Sequence, residues 1–256
     1  MKVLFIGDII GRPGRKIISE RLSEITKQEG IDLVIANGEN AAGGFGLTPE
    51  VCHEILAIGI DVITSGNHIW DRREIYDVID TMSILRPANF PPGVPGRGYL
   101  IHETKNGIKV GIVNLQGRVY MTNLDCPFRK SDKILEEIKK ETPIIIVDFH
   151  AEITSEKIAM GWYLDGKVSA VIGTHTHVQT ADARILDEGT AYITDIGMTG
   201  PRDSVIGIRK DVILKRYLTA IPLRFEVAKE DLIMSYAILD IDNKTGKAVS
   251  IKSFSK

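Results

Sequence analysis

Residues 3–40 decide the fold: "VLFIGD" (3–8), "RKIISERLSEI" (15–25) and "IDLVIANGEN" (31–40). Two short Val/Ile-rich runs flank a segment in which Ile18, Leu22 and Ile25 recur at helical spacing, while Arg21, Glu24 and Lys27 mark the wet side. This is the pattern of a βαβ unit, whose crossover helix makes the two strands parallel. The alternation continues through "PEVCHEILAIG" (49–59), "DVITSGNH" (61–68) and "RREIYDVID" (72–80), predicting a helix, a strand and a further helix. Proline-rich "RPANFPPGVPG" (86–96) breaks the rhythm, and Asn106-Gly107 between apolar runs predicts a hairpin, so the middle of the chain is expected to turn antiparallel. A helix near 131–141, the strand "PIIIVDFH" (143–150), a further helix and the strand "VSAVIGTHTH" (168–177) follow. A hairpin in "ARILDEGTAYITD" (183–195) and two strands around "NKTG" (243–246) complete the reading. The expected class is α/β, with mixed central sheets flanked by helices, as one domain over residues 1–256.

Bulk properties narrow the function. With 32 basic and 34 acidic residues the formal net charge is −2, which provides no electrostatic footprint for duplex nucleic acid but leaves room for a small phosphorylated substrate. "MKVLFIGD" already reads as a strand rather than a leader, and no apolar run approaches the ~18 residues that span a bilayer. The expectation is a cytoplasmic protein without a membrane partner, with assembly into a homo-oligomer left open. Cys52 and Cys126 fit neither a CxxC pair nor a thiolate cluster and receive no role.

Residues with ligand chemistry recur just after the apolar runs: Asp8, Glu39 with Asn40, Asn67 with His68, His150, then His175 and His177. Each has a plain structural alternative. Asp8 could cap the next helix, "GEN" and "GNH" could be turns, and His150 could end a buried strand. His175 and His177 would face one side if the strand ran through Thr176, or else sit in a polar loop. Taken together these alternatives weaken, because a sheet that needs only turns has no reason to place such residues at successive strand ends, where open α/β sheets bind ligands. Two cations ~3.5–4 Å apart need a shared carboxylate, a part that suits Glu39. Imidazoles with a few oxygens favour transition ions over magnesium or calcium.

"GDIIGRPGRK" lacks P-loop spacing, "AGGFG" lacks GxGxxG, and neither HExxH nor GxSxG occurs. An activated water is therefore the expected nucleophile. The ordered series "GD" (7–8), "NGEN" (37–40), "GNH" (66–68), "FH" (149–150) and "GTHTH" (173–177) resembles the calcineurin-like metallophosphoesterase superfamily. With "GENAAGGFGLT" (38–48) and "DIGMTGP" (195–201) it looks more closely like the YmdB-type branch of bacterial cyclic-nucleotide phosphodiesterases. Ile10 stands where the wider superfamily has a histidine ligand, and Glu39-Asn40 where an Asp is usual; the branch shows the same exchange. The resemblance implies an αββα sandwich holding two transition-metal ions, with iron or manganese expected. Asp8, Glu39, Asn40 and His177 would hold one ion, and Glu39, Asn67, His150 and His175 the other. His68 would protonate the departing ribose oxygen of a cyclic nucleotide. A phosphomonoesterase or nuclease with the same centre, and a regulatory protein whose hydrolysis is incidental, are the alternatives.

Overall fold

The computed structural model describes residues 1–256. Parallel strands β1 (Lys2–Ile6), β3 (Leu33–Asn37) and β4 (Val62–Thr64) form one half of a sheet, and antiparallel β13 (Ser235–Ile241) and β14 (Ala248–Ser255) the other, in the order β14-β13-β1-β3-β4. The second sheet has β6 (Lys109–Gln116), β7 (Ile145–His150), β8 (Ala170–Thr174) and β10 (Ala191–Ile193) parallel at its centre. Edge strands β5 (Tyr99–Glu103) and β9 (Arg184–Ile185) run antiparallel to them. A three-stranded ribbon of β2 (Asp8–Ile9), β11 (Met198–Pro201) and β12 (Leu232–Ile233) sits beyond the end of β1.

Period-two alternation builds the layers. From β1, Val3 and Phe5 point to the second sheet and pack with Ile112, Ile146, Ile172 and Ile193. Leu4 and Ile6 point the other way, against Ile18 and Leu22 of α1 (Gly11–Glu29) and Ile55 of α2 (Pro49–Ile58). On the far side, Val147 and Phe149 pack under α3 (Pro127–Ile138) and α4 (Thr154–Leu164) through Ile134, Met160 and Leu164. The result is the αββα sandwich.

Three expectations need correction. The helix expected over 72–80 is a 3-10 turn, Arg73–Asp77, because only Ile75 and Ile79 anchor it and its Asp and β-branched residues are poor helix formers. The antiparallel turn of the middle is confined to the β5–β6 edge hairpin, after which β6 and β7 are parallel again. Strand β8 ends at Thr174, short of both histidines, which stand at positive φ, 102° for His175 and 67° for His177. An additional helix, α5 (Lys210–Thr219), buries only Ile213, so its sequence carries little periodic signal.

Candidate metal centre

Every residue singled out in the sequence lies at the carboxyl end of a parallel strand, and the two sheets bring those ends together. Asp8 follows β1, Glu39 and Asn40 follow β3, Asn67 and His68 follow β4, His150 ends β7, and His175 and His177 follow β8. Gly66 has to be glycine, because a Cβ there would collide with the His150 ring and the Glu39 carboxylate.

The ligand-capable atoms form two groups that share Glu39: Glu39 with His150 and His175, and Asp8 with Glu39 and His177, each group's atoms within 4.8 Å of one another. In the first, His150 Nε2 is 3.2 Å from Glu39 Oε1, 3.0 Å from Asn67 Oδ1 and 3.0 Å from His175 Nδ1. In the second, His177 Nε2 is 3.9 Å from Asp8 Oδ1 and 3.1 Å from Asn40 Nδ2, which also lies 3.1 Å from Glu39 Oε1. The amide of Asn40 thus turns its nitrogen, not its oxygen, toward the group, and would have to rotate by a half-turn to offer Oδ1 to an ion. Ile10 is buried beside this group and contributes only an apolar wall.

The second nitrogen of each ring is held from behind, which fixes the nitrogen left facing inward. Thr174 Oγ1 donates to the buried Asp148 at 2.7 Å, so it accepts from His150 Nδ1 at 2.9 Å and frees Nε2. Asp148 also accepts from Thr64 at 2.5 Å and Asn37 at 3.0 Å. His175 is turned the opposite way: its Nε2 meets Glu152 Oε2 at 2.8 Å and Nδ1 faces inward. His177 donates from Nδ1 to the Ile206 carbonyl at 2.9 Å. The strained loop between these two histidines is tied down by Asp195, which accepts from Thr176 N at 3.0 Å and from the buried Lys157 Nζ at 2.6 Å.

Burial raises the Asp8 carboxyl to about 7, offset in part by His177. Burial acts on Glu39 in the same sense, but the adjoining His150, His68 and His175 outweigh it and hold that carboxyl well below its usual range. His150 is raised, burial being outweighed by Glu39. Burial together with His150 lowers His175 to about 3, keeping its ring neutral. Asp8 Oδ1 is buried without any hydrogen-bond partner. Three imidazoles and two carboxylates, one of them with an orphaned buried oxygen, form a donor set that a divalent transition ion fits.

His68 is half-buried beside this centre and uses its backbone N–H, not its ring, toward Glu39, at 3.2 Å. Its Nδ1 is 2.8 Å from Asp71 Oδ2. Sequence reasoning misses Asp71, Glu152, Asp148 and the Lys157–Asp195 pair. Two of these residues leave a trace there: Asp148 interrupts an otherwise apolar strand, and Asp195 opens "DIGMTGP".

The sequence pattern of the family described as "YmdB-like protein" matches residues 4–254. A 2′,3′-cyclic-nucleotide 2′-phosphodiesterase of Bacillus subtilis is 51% identical over 98% of this chain and 96% of its own. A crystal structure of a hypothetical protein from Thermus thermophilus superposes with a TM-score of 0.94 at 42% identity, over 100% of this chain and 99% of that one. A second, titled as a novel phosphatase of Mycoplasma pneumoniae, gives 0.93 at 34% identity, over 100% of this chain and 93% of that one. Matched along nearly its whole length in sequence and in fold, the chain belongs to the YmdB-like family.

Proposed function

We propose that the chain is a metal-dependent phosphodiesterase that hydrolyses cyclic nucleotides at a centre of two transition-metal ions, iron or manganese. The carrying observation is that one buried carboxylate, Glu39, belongs to both ligand groups. Asp8, Glu39, Asn40 and His177 would hold one ion, and Glu39, Asn67, His150 and His175 the other. The substrate class follows the name of the Bacillus subtilis relative, a 2′,3′-cyclic-nucleotide 2′-phosphodiesterase. Residues 1–256 act as one domain, since both sheets contribute to one centre.

When bound, the ions supply Lewis-acid polarisation of the phosphate and acidify a water. His68 is the general acid: Asp71 holds Nδ1, so Nε2 is the nitrogen left for the substrate. Water adds its oxygen to phosphorus, the P–O bond to one ribose oxygen breaks, and that oxygen leaves with the proton from Nε2. The water's surplus proton passes to solvent, from which His68 is recharged. Glu39, buried and anionic, would offer a ligand to each ion and orients the His68 backbone through its 3.2 Å hydrogen bond.

The test is elemental analysis of the purified protein alongside turnover of 2′,3′- and 3′,5′-cyclic nucleotides, phosphomonoesters and oligonucleotides. Two transition ions per chain with cyclic nucleotides the best substrates is the expected result. Preference for a monoester or for internal oligonucleotide bonds would move the reading to a phosphomonoesterase or a nuclease, and bound metals with no turnover to a regulatory protein.

A further inference from the structure

Beside the metal centre the cleft, about 300 Å³ in volume, changes character. Its polar wall consists of residues already assigned or in contact with them. Its other arm is lined by Phe45, Phe225, Ile206, Ile213 and Tyr217, which between them offer a single side-chain hydrogen-bonding group, the Tyr217 hydroxyl. We infer that this arm is a nucleobase subsite that binds by stacking and shape, so that the enzyme accepts all four bases. The inference rests on the cyclic-nucleotide reading above and goes beyond it in naming what selects the substrate.

Position supports the assignment. Phe45 meets the His68 ring edge-on at 5.0 Å, and the Phe225 ring stacks on Phe45 at 6.0 Å with 24° between planes. A nucleotide whose ribose oxygen faces His68 therefore carries its base onto this aromatic wall. Arg216 lies 4.6 Å over Phe225 and backs the wall with a cation. The arm is also fastened to the centre, because Ile206 accepts from His177 through its carbonyl while its side chain lines the cleft. Tyr217 is 81% exposed on a helix that buries only Ile213, so packing of the fold does not account for it.

The chemistry of the wall sets the selectivity. Every base has a π-face, and stacking on an aromatic side chain contributes roughly 10- to 100-fold in binding. An apolar wall discriminates between related ligands by at most ~10²-fold, whereas buried hydrogen-bonding partners reject the wrong ligand by ~10⁴-fold or more. Purines, with the larger face, should lead pyrimidines within that narrow span.

The experiment measures kcat and KM of the metal-loaded enzyme for the 2′,3′-cyclic phosphates of adenosine, guanosine, cytidine and uridine, and for ribose 2′,3′-cyclic phosphate, which has no base. The four nucleotides should fall within ~10²-fold in kcat/KM, and the base-less compound should fall ~10- to 100-fold below adenosine, mainly through KM. Phe225→Leu and the surface variant Tyr217→Ala should each raise KM for the adenosine substrate and narrow its lead over the base-less one. A preference above ~10³-fold for one base, or equal KM with and without a base, overturns the subsite while leaving the phosphodiesterase intact. If none of the five is hydrolysed while a phosphomonoester is, the cyclic-nucleotide reading falls and takes the subsite with it.

Discussion

His68 and Asp71, three residues apart after β4, are joined by a 2.8 Å contact between Nδ1 and Oδ2, so the ring offers Nε2 to the cleft. The geometry is that of a proton donor held by a carboxylate, with the ring itself outside both ligand groups. His68→Ala should retain both metals and lower kcat by about 10²–10⁴-fold. A nitrophenyl diester, whose leaving oxygen needs no proton, should lose far less. Parallel kinetics on the two substrates decide it, and equal losses would remove the general-acid role.

Glu39→Gln should weaken both ions together. A carboxylate shared by two cations would partly offset their mutual repulsion, and a neutral amide would not. Elemental analysis after gel filtration should read well under two ions per chain, with activity falling in step. Two retained ions with normal turnover would refute the bridge.

Asp8 gives the metal-free protein a pH signature. Its carboxyl is raised by burial to about 7 from an ordinary 3.8, so it favours the fold while protonated. That contribution is complete below the unfolded value and is lost as pH rises through about 7. Metal-free Asp8→Asn, which has no charge to bury, should therefore melt above the wild type at pH 8, by the equivalent of a few kcal/mol. The advantage should shrink toward pH 4. Added manganese should raise the melting temperature of the wild type and much less that of the variant. Identical pH profiles for the two proteins would show that Asp8 is not held in this state.

The βαβ alternation and the strand-end residues were legible because both depend on short-range patterns: period two, helical spacing, and polar residues closing apolar runs. What holds those residues in place was not, because it is long-range in sequence. Asp148 reaches His150 through Thr174, Glu152 faces His175, and the carbonyl that orients His177 belongs to Ile206. Backbone conformation was equally hidden. The alternation His-Thr-His mimics a continuing strand, yet positive φ at both histidines turns each ring by a different route, one presenting Nδ1 and the other Nε2. Helix α5 escaped because its apolar residues Leu214, Tyr217 and Leu218 face solvent and the cleft rather than the core.

The loop carrying those two histidines is held in its strained form by a salt bridge that the reaction itself does not use. Positive φ at a non-glycine residue costs on the order of 1–3 kcal/mol and persists only where the surroundings fix it. Here the fixing group is Asp195, which accepts from Thr176 N and from Gly197 N at 2.8 Å and is neutralised by Lys157 at 2.6 Å, both side chains 1% exposed. Lys157→Met would leave a buried carboxylate without its counter-ion, a loss of about 3–5 kcal/mol. The loop should relax with it, since a buried Asp195 without its counter-ion is costly to hold in place beneath the Thr176 N–H. Metal affinity should fall at the His175 and His177 positions while His68 and Asp71 stay in place. The double variant Lys157→Met, Asp195→Asn removes both charges and keeps an amide oxygen for Thr176. It should recover most of the stability and much of the metal affinity. Melting temperature and metal titration on the single and double variants measure the two effects separately. If Lys157→Met unfolds at lower temperature yet binds metals as tightly as the wild type, the pair supports the fold alone and the loop is held by Asp8, whose Oδ2 accepts from His175 N at 3.3 Å, and by the Ile206 carbonyl.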